Sequence, residues 1–101
     1  MQNYKASANL PISHPGQLFK RRFLQRYNIS VTDAAKKMHM NRSQLSRFLN
    51  GHDTVTVTLA QKLEVATGVS AEYWLTRQAQ FSLQQAQQQS RKVEAEPLLP
   101  V

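Results

Sequence analysis

The chain has 101 residues, 41% of them hydrophobic, no cysteine and a net charge of +7. That composition predicts one small soluble domain with tails. It excludes a disulfide framework and any cysteine-based zinc or redox site, and its apolar runs are too short to cross a bilayer. The N-terminal MQNYKASANLPIS lacks the apolar centre of a signal peptide, so the expected location is the cytoplasm.

The charge is concentrated. Residues 14–51 hold eight bases (Lys20, Arg21, Arg22, Arg26, Lys36, Lys37, Arg42 and Arg47) against the single acid Asp33. The remainder is close to neutral, which points to a polyanion bound at one end of the molecule.

Residues 1–13 show no sustained period and read as an extended, flexible arm. After His14-Pro15-Gly16, the run GQLFKRRFLQRY has a helical pattern. It places Leu18, Phe19, Phe23, Leu24 and Tyr27 on one apolar face and Lys20, Arg21 and Arg22 outside. Asn28 suits a left-handed stop. Ser30 caps the second helix, VTDAAKKM, whose inner stripe is Val31, Ala34, Ala35 and Met38. Asn41 caps a third helix, with its apolar stripe at Leu45, Phe48 and Leu49 and its stop at Asn50-Gly51.

Two short helices joined by His39-Met40 must cross steeply, and Ala35 is the small residue that lets them touch. This is a helix-turn-helix arrangement. Thr56 caps a fourth helix, buried through Leu59, Ala60, Leu63 and Ala66 and stopped by Gly68. Ser70 caps a fifth, with Tyr73, Trp74, Leu75, Gln78 and Phe81 inward and a glutamine run at its end, read as a solvated, frayed terminus. No strand pattern competes. The fold class is all-α, a five-helix domain over 14–83 with its recognition helix at 42–50. Residues 84–101 form a polar helix extension and tail.

The outer face of the third helix carries Arg42, Ser43, Gln44, Ser46 and Arg47 and no acid, where a merely solvated face favours Glu and Lys. A helix fits the major groove, and arginine makes paired hydrogen bonds to guanine O6 and N7. Gln44 suits adenine or a phosphate. Lys36, Lys37 and the positive end of the preceding helix suit phosphates.

Residues 30–51, SVTDAAKKMHMNRSQLSRFLNG, resemble the helix-turn-helix of the phage-repressor (Cro/C1, XRE) superfamily. The resemblance implies base contacts from Arg42, Ser43 and Arg47 and a phosphate contact from Asn50, with Thr32, Lys37, Asn41 and Gln44 completing the DNA-binding set. The chain departs from the family pattern at His39, where glycine is usual, and at Val31, where a phosphate-binding glutamine is common. Thr32 is the nearest substitute for that glutamine.

A narrower match joins HPGQLFKRRFL at the start to VSAEYWLTRQAQFSL in the last helix, and this pairing resembles the HigA antitoxin family over about seventy residues. Gln17 and Thr76 depart mildly from its pattern. The resemblance implies a homodimer on palindromic double-stranded operator DNA. It also implies a HigB/RelE-like mRNA endonuclease as the toxin partner, gripped by the arm and first helix, with repression of the shared operon. Phe81 and Leu83 are the expected dimer seam, and Trp74 is expected in the core.

His14, His39 and His52 have no partners at ligand spacing, so no metal site and no cofactor are expected. Neither is a membrane partner, a small-molecule substrate or a catalytic residue, and the chain is not expected to be an enzyme. The rival readings are a stand-alone repressor and a toxin-binding inhibitor that reads little DNA.

Overall fold

A computed structural model describes residues 10–89 and 92–99. Among them five helices follow one another and no strand occurs. Helix α1 is Pro15–Phe19, which runs directly into a π-helical segment, Lys20–Gln25; α2 is Val31–Lys37, α3 Arg42–Leu49, α4 Val57–Thr67 and α5 Ala71–Gln88. Among the described residues no helix is long and apolar enough to cross a membrane.

Each helix begins where a side chain accepts a backbone N–H of the first turn. Ser30 does so for Asp33, Asn41 for Gln44, Thr56 for Leu59 and Ser70 for Tyr73. Each of the first four ends at a left-handed residue: Asn28 (φ 55°), His39 (φ 54°), Gly51 (φ 80°) and Gly68 (φ 79°). At the first three stops, a pair of backbone hydrogen bonds folds the chain back on the helix. At His39 these are His39 N–H to Lys36 O and Met40 N–H to Ala35 O. A left-handed conformation costs a residue with a Cβ about 1–2 kcal/mol. Lys62 offsets part of that at His39, donating from Nζ to its carbonyl at 2.8 Å.

The core forms where α1, α3 and α5 meet, with α4 packed along α5. Leu45, Leu63 and Trp74 are fully buried, and Phe19 sets its ring edge-on to Trp74 at 6.2 Å. Trp74 is therefore a core residue, as its spacing predicts. Ala35 is buried at the α2–α3 crossing.

Three expectations about the helices' inner faces are corrected. The first helix is not uniformly α-helical: wider turns from Lys20 onward advance each residue through a smaller angle. Tyr27 consequently falls out of phase with Leu24 and is 62% exposed, with the Arg26 guanidinium 5.9 Å from its ring centre. Ala66 is exposed rather than buried, because the last turn of α4 overhangs an open groove shared with Phe23, Tyr27 and Ile29. Tyr73 is 40% exposed and lies edge-on against Trp74, which takes the central place.

The expected arm, 1–13, lies outside the described residues up to position 9. From Leu10 the chain is held against α5: Gln84 accepts from Ile12 N–H at 2.6 Å and donates to Leu10 O at 2.7 Å, and Arg77 donates to Ser13 O. Gln84 is thus a structural clamp, not part of a frayed end, and α5 continues unbroken to Gln88.

Candidate nucleic-acid interface

Helix α3 is anchored by Leu45, Phe48 and Leu49, all buried, and presents Arg42, Ser43, Gln44 and Arg47 to solvent. Its first turn is built by local hydrogen bonds. Asn41 Oδ1 accepts from Gln44 N–H at 2.8 Å and from Ser43 Oγ at 2.9 Å, while Gln44 Oε1 accepts from Asn41 N–H at 3.3 Å. This is a reciprocal capping box, so the Gln44 amide oxygen is engaged in the cap. Arg42 stands at the first helical position, and its side chain has no hydrogen-bond partner among the described residues.

The last turn is held differently. Arg47 forms an ion pair with Asp53, Nη2 to Oδ1 at 3.0 Å. Asn50 closes the helix with its amide directed to Ser46 Oγ. The Asp53 carbonyl accepts from His14 Nε2 at 3.0 Å, and His14 Nδ1 accepts from Gly16 N–H at 2.9 Å. Both ring nitrogens are therefore committed, which fixes the neutral tautomer with its proton on Nε2. Burial lowers the His14 pKa below the ordinary 6.5; the hydrogen bond to the Asp53 carbonyl and the Asp53 charge partly oppose that shift. Gly16 leaves room for the Phe48 carbonyl, since a methyl there would lie inside that oxygen's radius. The three residues His-Pro-Gly thus weld the start of α1 to the end of α3.

Thr32 is exposed in the first turn of α2 and Lys37 in its last. The structure brings Asn41, Ser43 and Gln44 into one cluster, sets Arg47 and Asn50 a turn away, and leaves Thr32 and Lys37 at opposite ends of the preceding helix. All eight bases of residues 14–51 are exposed. Phe81 is partly buried against the His14 ring at 5.1 Å, whereas Leu83 is 64% exposed. Among the described residues no cluster of side chains could hold a metal ion. Sequence reasoning missed Asp53 and Lys62. The signal for Asp53 was its place two residues past the Asn-Gly stop, as the first acid after Asp33.

Residues 20–74 match the helix-turn-helix family. The chain belongs to it. This helix-turn-helix protein is 37% identical over 71 residues to virulence-associated protein A of Dichelobacter nodosus, covering 69% of this chain and 70% of that one. It is 35% identical over 80 residues to YddM, an uncharacterized HTH-type transcriptional regulator of Escherichia coli K12, covering 79% and 82%. In fold it is similar to the Pseudomonas aeruginosa antitoxin HigA, solved with the higBA promoter. The TM-score is 0.74 at 24% identity, over 87% of this chain and 99% of that one. The helix-turn-helix protein thus carries a DNA-binding domain with α3 as its second, outward-facing helix.

Proposed function

We propose that this protein is a sequence-specific DNA-binding antitoxin. In this reading it neutralises a cognate HigB/RelE-like mRNA endonuclease and represses the operon encoding the pair. The observation that carries the DNA half is the acid-free outer face of α3, held rigid by a capping box at one end and the His14 weld at the other. Arg42, Ser43 and Arg47 read base edges, while Thr32, Lys37, Asn41 and Asn50 hold phosphates. Gln44 reaches DNA only with its amide nitrogen while its oxygen caps the helix. A homodimer built through α5 around Leu83 would set two α3 helices in successive major grooves of a palindrome, about 34 Å apart.

The fold shared with a promoter-bound HigA antitoxin supports the toxin-facing half. The kinship with YddM, an HTH-type transcriptional regulator, supports a second reading, a transcriptional repressor that acts on its own. Co-purification from the native host separates them: the antitoxin reading expects a small basic nuclease encoded beside this gene in the eluate, and its absence leaves the repressor. Both readings require that the double change Arg42→Ala and Arg47→Ala cost about 1–3 kcal/mol of specific DNA affinity per lost paired contact, measured by titration of the upstream duplex.

A further inference from the structure

We propose that Asp53 determines base specificity by orienting Arg47 toward a guanine. The inference rests on the assignment of α3 as the DNA-reading helix. A guanidinium has two edges able to make paired hydrogen bonds. Asp53 occupies the side edge: Arg47 Nε donates to Oδ1 at 3.2 Å and Oδ2 at 3.3 Å, and Nη2 donates to Oδ1 at 3.0 Å. The terminal edge, Nη1 with the second hydrogen of Nη2, has no partner among the described residues, and the side chain is 60% exposed. With the side edge taken, that free edge is the one left to pair with guanine O6 and N7.

The main chain of Asp53 is fixed from behind. Its carbonyl is held by His14 Nε2, and that ring is 4% exposed and tied to Gly16. The chain of contacts runs from the core, through His14 and Asp53, to Arg47. An arginine braced in this way samples fewer rotamers before DNA arrives, so less freedom is lost on binding. A carboxylate that merely masked Arg47 would cover the terminal edge; this one leaves it open. The carboxylate also repels phosphates, so its role lies in discrimination between bases rather than in overall affinity. Arg42, with no such brace, is the internal control.

The test is selection from a duplex library randomised across the half-site, run on the full-length wild type, R42A, R47A, D53N and D53A. The wild type is expected to select a G that R47A no longer specifies. D53N and D53A should weaken that preference about tenfold, keep the position that R42A loses, and melt at the wild-type temperature. Two substitutions at Asp53 keep the answer from depending on how either one folds.

The inference is overturned if the Asp53 variants keep the full preference for G, or if they bind every duplex more tightly with discrimination intact, as unmasking would give. It also fails if R47A alters no base position. A wild type that selects no consensus would defeat the DNA-reading assignment together with this inference. A wild-type consensus read unchanged by the Asp53 variants defeats this inference alone.

Discussion

At its N-terminal end α3 is secured by its own neighbours in sequence, Asn41, Ser43 and Gln44. At its C-terminal end it is secured by residues more than thirty positions away, His14 and Gly16. The first arrangement is written within one turn of helix and forms whenever that helix forms. The second exists only after α1 has docked. One helix therefore combines a self-contained end that presents Arg42 with a dependent end that presents Arg47. The difference teaches that the two arginines answer to different parts of the chain.

The contrast is open to breakage, most sharply at the dependent end. Gly16→Ala drives a methyl into the Phe48 carbonyl and should destabilise the fold by about 1–3 kcal/mol in chemical denaturation. In an ordinary helix the same change gains roughly 0.5–1 kcal/mol. A stabilised variant would show that α1 and α3 are not in close contact.

At the self-contained end, Asn41→Ala removes the cap and should cost about 1 kcal/mol. As a proposed phosphate contact its loss should weaken binding to all duplexes alike, while any change in base preference should be confined to the position near Arg42. If the Arg47 position changes equally, the two ends are not independent.

The smallest effect is in pH. The His14 pKa is lowered in the folded protein, so the unfolded chain takes up the proton first as pH falls. The stability associated with the neutral ring is complete above 6.5, the unfolded value, and declines as pH drops from there toward the folded value. A melting midpoint that falls over this window in the wild type, and falls less in His14→Gln, is the expected result. Equal slopes would remove His14 as the source.

Much of this was legible in the sequence because it is local. The caps at Ser30, Asn41, Thr56 and Ser70, the stops at Asn28 and Gly68, and the apolar stripe of α3 each sit within a few residues of their partners. The left-handed turn at His39 was readable as a departure from the usual glycine, but its brace from Lys62 was not, because that lysine comes from a different helix. Gln84 looked like one of several interchangeable glutamines, and only the packing of Leu10–Ile12 beside it distinguishes it. Tyr27 was misplaced because a π-helical turn leaves no mark in an apolar repeat. In the candidate site, residue types on the outer face of α3 were readable, but the partner that braces Arg47 lay beyond the end of the helix.

The separation of α3 into a buried stripe and an outer face also bears on redesign. Leu45, Phe48 and Leu49 hold the helix, whereas Arg42 makes no contact that the fold depends on. If Arg42 and Arg47 read bases as proposed, position 42 is replaceable alone to retarget the protein to another sequence, as a single character in a cipher. Position 47 is not: a new side chain there inherits an orphaned carboxylate beside the DNA. Substitutions at 47 and 53 must be exchanged together, and screens that vary the helix alone will undercount the sequences this scaffold can be taught to read.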